Sequence, residues 1–335
     1  MISSKKMLPL VILLSLSLSS CLIIDSARSM QVEIMKPGMY DIPKGLSVAV
    51  LKGDACISDT SIFSYFNAVS DVTDTCISYH SLSDTCINAL TNYFKEQGYF
   101  REVISYYNDS LSLLYNSAEI IANGNQIFEK TKSDVCIFLD SFHFDTFYYT
   151  RSGVPFNTHA NLLWTILIKT ENLPHSYKQN DILTFNKEQI TKIDYKNSVL
   201  EQLLYNSSKY LGNSFGGKLI PAWNLVERMY YRSKNHDMLM AEKYALGNDW
   251  NKAAELWKKW TDNRNQQVAA KASFNMALAS EMAGNQEIGI EWLIKSYNCQ
   301  FKNNVEHRAN CMRYIDVLNY RKSEITKLGK QIGVY

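Results

Sequence analysis

The chain lacks the features that most directly assign a chemistry. There is no Cys-x-x-Cys, and none of the six histidines (His80, His143, His159, His175, His236, His307) stands in a His-Glu-x-x-His arrangement. The usual zinc motifs are therefore excluded, and no metal or cofactor is expected. It also lacks a charge surplus. Lys5 and Lys6 are two of 35 Lys+Arg, so the remaining 33 balance 33 Asp+Glu, and a nucleic-acid partner has no electrostatic footprint. Beyond the first twenty residues no apolar run approaches eighteen, which excludes a multispanning membrane protein.

What is present is a chain built to fold. With 335 residues, 46% apolar and 20% charged, it is long enough for two domains and too apolar to be disordered. Past residue 20, the part up to Phe215 carries 15 Lys+Arg against 21 Asp+Glu, and the rest 18 against 12. This asymmetry supports a division into two domains.

Lys5 and Lys6 precede an apolar stretch from Met7 to Leu18 that is too short to span a bilayer, the layout of a secretory signal. Leu18-Ser19-Ser20-Cys21 follows and resembles the bacterial lipobox. The resemblance implies cleavage before Cys21, its acylation and a membrane partner reached through the acyl chains. Two or three chains on one residue hold far more firmly than one. Leu22, where an aspartate would favour inner-membrane retention, and the lack of an acidic cluster after Cys21 imply an outer-membrane lipoprotein facing the periplasm.

Gln31–Ile34 and Leu46–Leu51 read as strands between Pro/Gly signals. A helix is expected from an Asp84 cap to Gly98, then a strand over Phe100–Tyr107 and a short helix over Gln126–Lys130. Val135–Tyr149 is extended, and Asn161–Lys169 forms a hairpin with Tyr177–Phe185. A helix through Val199–Leu211 should stop at Gly212.

From Trp223 onwards strand signals vanish and helices are expected throughout, including Trp223–Tyr231, Val305–Tyr320 and Lys322–Lys330. Gly247 and Gly284 lie 37 apart, while Ala253 and Gly289, like Trp257 and Leu293, lie 36 apart. Each unit pairs a helix ending at glycine with a second helix. The block Phe274-Asn-Met-Ala277 to Gly284 and Gly289 resembles the tetratricopeptide repeat, with Ser280 in place of the usual tyrosine. With the lipobox, it gives the chain the look of an uncharacterised Bacteroidota-type envelope lipoprotein family. The resemblance implies a concave face that holds a protein or peptide.

The organisation expected is a signal peptide over 1–20, a tether over 21–30, an α/β or α+β domain over 31–215 and an all-α tetratricopeptide-like helical-repeat domain over 222–335. Trp250, Trp257, Trp260 and Trp292 are the candidate partner groove. Cys299 and Cys311 flank a turn between helices and are the candidate disulfide.

Two apparent motifs fail on context. Gly212 to Lys218 has phosphate-loop spacing, but a helix precedes it and Leu219 stands where a hydroxyl is needed. Ser141, His143 and Asp145 share a strand face, yet same-face neighbours are about 7 Å apart, too far for a hydrolytic relay. No catalytic residue is assigned. The expected function is non-catalytic scaffolding at the envelope; the alternative is an envelope hydrolase or a glycan- or small-ligand-binding protein with a pocket in the first domain.

Overall fold

The computed structural model describes residues 27–53, 56, 62–67, 72–106, 123–144, 156–185 and 198–333. They form two compact units. One holds 37–222 with the chain from Leu328 on; the other holds the chain up to Lys36 with Trp223–Lys327. The architecture is mixed, with a sheet region followed by a helical region.

The first described strand is β1 (Ala27–Lys36), then β2 (Ser47–Lys52), the β3–β4 hairpin (Ile62–Asn67, Val72–Ser78) and helix α1 (Tyr79–Gln97). Strand β5 (Glu102–Tyr106), helix α2 (Gly124–Thr131), β6 (Val135–Phe144), β7 (Phe156–Ile168), β8 (His175–Phe185) and helix α3 (Ser198–Leu219) follow. The sheet runs β5-β2-β6-β7-β8, parallel across its first three strands and antiparallel across its last three.

Strands buried on both sides read as continuous apolar runs. Val48, Val50, Val135, Ile137, Trp164 and Ile166 pack with α1 and α3, while Ala49, Leu51, Cys136, Phe138 and Leu167 pack with Ile127 and Phe128 of α2. Trp164 stacks on Phe215 of α3 at 4.2 Å and donates its indole N–H to Gln179 Oε1, whose own amide donates to the Leu211 carbonyl. The last turn of the final helix also belongs here, for Gln331 accepts from the Gly38 amide and donates to the Tyr40 carbonyl.

Two helix ends differ from expectation. Helix α1 begins at Tyr79, with Ser78 as its cap accepting from the Ser81 amide; Asp84 lies inside the helix, where it pairs with Lys52. Helix α3 continues through Gly212 to Leu219. Gly212 is a contact surface: a Cβ there would lie 2.2 Å from the Cys86 carbonyl oxygen of α1. Its missing side chain lets two helix backbones touch.

In the helical unit, β9 (Ala222–Tyr231) pairs with β1, and five helices follow: α4 (His236–Leu246), α5 (Trp250–Lys258), α6 (Gln266–Met282), α7 (Gln286–Asn298) and α8 (Val305–Ile332). Three expectations are corrected. Trp223–Tyr231 is a strand, visible in the exposure of Trp223, Leu225 and Glu227 at alternate positions. Residues 27–30, expected in the tether, are already strand, and β1 groups with the helices through Met30, Val32 and Ile34. The two terminal helices are one, because the buried positions Cys311, Tyr314, Leu318, Arg321, Glu324 and Leu328 keep a single helical period across the expected break.

Replacing Gly212 with alanine should cost the α/β unit about 1–3 kcal/mol through overpacking. Gly124→Ala, whose Cβ meets nothing, should move the unfolding midpoint far less. Equal midpoints in a urea titration would refute the close-contact role.

Candidate functional site

The helices assemble as pairs, α4 with α5 and α6 with α7. Asn235 and Asn265 cap α4 and α6 by accepting backbone N–H groups, and Asp249 does so for α5. Gly284, at φ +80, ends the α6 turn. Helix α6 is buried on all sides from Ala269 to Glu281. Its face is covered by strand β9, which is pinned to the first helix of each pair and to α8.

The pins are polar and specific. Asn275 of α6 accepts the Tyr231 N–H through Oδ1 and donates through Nδ2 to the Tyr231 carbonyl, both at 2.7 Å. A side-chain amide thus makes the two hydrogen bonds that a neighbouring strand would make. Arg228 lays its guanidinium on Glu281, Nε to Oε2 at 2.9 Å and Nη2 to Oε1 at 2.7 Å, and the Tyr314 hydroxyl donates to Oε2 at 2.6 Å. Tyr230 donates to Glu242 Oε1 of α4 at 2.6 Å. Burial pushes the Tyr230 and Tyr231 hydroxyls up to about 12, so both stay protonated donors.

Tyr231 also closes a chain of hydrogen bonds. Asn310 donates to its hydroxyl, which leaves that hydroxyl to donate to His307 Nδ1 at 3.0 Å. The imidazole proton then sits on Nε2, facing Ser296 Oγ at 2.9 Å. Cys311 lies 3.5 Å from the same Nε2. A thiol beside an imidazole resembles a nucleophilic dyad, but this thiol is buried and burial holds it up at about 11. It is a packed thiol and not a nucleophile.

Of the four candidate groove tryptophans, one drops out. Trp257 is wholly buried in the core, and Trp250, Trp260 and Trp292 are partly buried. The Trp250 and Trp260 indoles donate to Asn248 and Asp237, while Lys295 covers the Trp292 ring. All four stand on α5, α7 or the turn after α5, whereas β9 is pinned to α4, α6 and α8. Nor is the Cys299–Cys311 bridge formed. Both thiols are free: Cys299 packs with Ala269, Ala270 and Phe301, and Cys311 donates towards Ser296 in a different cluster. Cys21 lies outside the described residues.

In the α/β unit, β2 connects through α1 to β5 on one side, while α2 leads back to β6 on the other. The carboxyl ends of β2 and β6 therefore form the topological switch point, where open α/β sheets usually bind ligands. Lys52 ends β2 there, buried, with its ammonium 2.6 Å from Asp84 Oδ1 and donating to the His80 carbonyl at 3.0 Å. Fully occupied, it is a strut between sheet and α1. On the other face Asp140 follows Cys136 and Phe138 at alternate positions of β6, at a β-bulge between Leu139 and Ser141. Thr165 donates to Asp140 Oδ2 at 2.5 Å, and burial raises this carboxyl above the usual range. Its Oδ1 is buried without a hydrogen-bond partner. Gly53 makes room for it, since a Cβ there would stand 2.8 Å from Oδ1. Neither Lys52 nor Asp140 is singled out by a sequence motif.

Ser141 and His143 stand on the exposed face of β6, with Phe142 and Phe144 in the core, and His143 stacks on Tyr79. Asp145 lies outside the described residues. At the other end of the sheet a polar cleft of about 430 Å³ lies between the first turn of α2 and the β7–β8 turn, lined by Asn123, Gln126, Lys169 and Glu171 among others. Among the described residues no group of three or more His, Cys, Asp or Glu could hold a metal ion. No helix among them is long and apolar enough to cross a membrane.

Asn275→Ala strands a buried N–H and a buried C=O, and should cost about 2–6 kcal/mol at 1–3 kcal/mol each. A loss below about 1 kcal/mol in denaturant titration would mean that β9 is held by packing alone. His307 is lowered below its ordinary value, first by burial and further by Lys271 and Arg308. The unfolded chain therefore binds a proton that the folded chain refuses. Its contribution is present above about pH 6.5 and lost as pH falls, by at most about 1.4 kcal/mol per pH unit. The His307→Gln variant should show a flatter stability profile between about pH 7.5 and 5.

Two family models match the sequence, both described as domains of unknown function: DUF8603 over residues 58–231 and DUF6340 over residues 239–320. No curated protein matches. Among solved structures, a dodecamer of a PelC variant from Paraburkholderia phytofirmans is 8% identical, with 57% of this chain and 98% of that one covered at a TM-score of 0.27. A minor lipoprotein from Acinetobacter baumannii is 9% identical, with 54% and 98% covered at a TM-score of 0.20. Likenesses this distant bear on neither fold nor function. The DUF8603 match takes in just over half of the 335 residues and ends at Tyr231, the last residue of β9; the chain belongs to that uncharacterised family.

Proposed function

We propose that this protein is a lipid-anchored lipoprotein of the Bacteroidota-type cell envelope, acylated on Cys21, that serves as a non-catalytic scaffold in the outer membrane facing the periplasm. Its helical unit is a degenerate tetratricopeptide-like stack, supported by the 37- and 36-residue spacings and the α4–α5 and α6–α7 pairs. The observation that carries the reading is the stacking of the α4–α5 and α6–α7 pairs. A helix-borne amide that satisfies both backbone groups of Tyr231 is a device for holding an extended strand.

Here the strand held is the chain's own, so a partner must use another surface. Helix α7 offers one: Ile288 is 46% exposed one turn before the half-buried Trp292, and Ile294, 48% exposed, lies on the opposite flank. Ile288, Trp292 and Lys295 share one flank of the helix, an apolar pair with a basic neighbour, while Glu287 and Glu291 are exposed between that flank and Ile294.

Cross-linking in intact cells followed by mass spectrometry tests this reading. The wild-type chain should capture a reproducible partner that an Ile288→Glu/Ile294→Glu variant loses, and Cys21→Ser should move the protein from the membrane to the soluble fraction. An unchanged partner set would remove α7 from the interface. A second reading, ligand binding or hydrolysis in the α/β unit, has one observation in its favour, the buried Asp140 carboxyl with an unsatisfied oxygen at the switch point.

A further inference from the structure

The anchor proposed at Cys21 and the first described strand are separated by only residues 22–26. That strand is not a loose leader. Met30, Val32 and Ile34 of β1 are buried in the same core as Met238, Ala241, Ala245, Trp257 and Phe274. It pairs with β9, which is in turn fixed by Asn275, Glu242 and Glu281. The first described element after the anchor, β1, therefore belongs to the helical unit.

Length decides the consequence. A chain spans at most about 3.5 Å per residue, so five residues reach about 18 Å even when fully extended. The headgroup layer of one leaflet takes up about 5–7 Å of that. A unit of about 115 residues has a radius of gyration near 13 Å, hence a diameter well above about 30 Å. The leash is shorter than the body it holds. The body also carries 18 Lys+Arg against 13 Asp+Glu over residues 27–36 and 223–327, a basic surplus that suits an anionic headgroup surface.

We propose that the helical unit is held against the lipid headgroups by the short span between Cys21 and β1, making the bilayer surface a standing partner of that unit. This rests on the reading of Cys21 as an acylated anchor. Gln31 and Glu33, exposed on β1, are positions near the anchor that point away from the core.

The test uses the full chain in its native membrane, with a photo-reactive benzophenone amino acid at Gln31 or at Glu33, and reads two quantities. Fatty-acid labelling, with Cys21→Ser as the control, reports acylation. Light-induced lipid adducts on the protein report contact with the bilayer. Strong adducts in the native chain that fall about tenfold when about twenty Gly/Ser residues are inserted after Ile24 support the proposal, since local concentration falls as about the −3/2 power of tether length. Full acylation with adducts absent, or unchanged by the longer tether, overturns the membrane-held geometry and leaves the anchor reading intact. Labelling that Cys21→Ser does not abolish overturns the anchor reading, and this proposal with it.

Discussion

Strand β9 is what the helical unit depends on. The side chains of Arg228, Tyr230 and Tyr231, with the Tyr231 backbone, reach Glu281, Glu242, His307, Asn310 and Asn275, so that α4, α6 and α8 are all tied to one extended segment. Helix pairs stacked side by side bury one face against the next pair, and α6 has a second face left over. The β1–β9 ribbon covers it, which is why α6 is buried throughout Ala269–Glu281 although it carries Lys271, Asn275 and Glu281. Each buried polar group needs a partner, and β9 and α8 supply those of Asn275 and Glu281. Such pairs add less to net stability than to position, because removing either member leaves the other buried and unpaired.

The α/β unit solves a different problem. Its sheet is covered on one face by α1 and α3, packed so closely at Gly212 that only a glycine fits, and on the other by the shorter α2. Beyond Phe138 the bulge changes which residues of β6 face the core. Before it odd positions such as Ile137 and Leu139 pack against α1 and α3; after it the even positions Phe142 and Phe144 do. Asp140, at the bulge itself, stays on the side of Cys136 and Phe138 and is buried there, where desolvation keeps its carboxyl neutral to higher pH than an ordinary aspartate. Lys52 and Asp140 thus sit beside the carboxyl end of β2 on opposite faces, one paired and one with an unpartnered oxygen.

Much of the fold was legible in local pattern. The hairpin of β7 and β8, the helix stop at Gly98 in the left-handed region, and the four helices of the two pairs all follow from periodicity and from residues next in sequence. The failures share one cause. Gly212 reads as a stop unless the Cys86 carbonyl is known to press on it; Asp84 reads as a cap unless Lys52 is known to claim it. Trp257 reads as a groove tryptophan, because composition shows which side chains are large and not which way they face. Cys299 and Cys311 read as a bridge because they flank a turn, while their neighbours send one to Ala270 and the other to Ser296.

The sequence by itself determined the division into a sheet-bearing part and a helical part, the 37- and 36-residue spacings within the helical part, and the even balance of charge past residue 20. Those properties depend on composition and on spacing along the chain, so they survive without knowledge of the third dimension. Only the tertiary structure decided that Trp223–Tyr231 is a strand, that its partner is β1 from the far end of the chain, and that this ribbon fills the face of α6. A two-stranded ribbon is at best marginal in water. It exists here because the helices present Asn275, Glu281 and Glu242 to its backbone and side chains, and those groups come together only after the stack has formed.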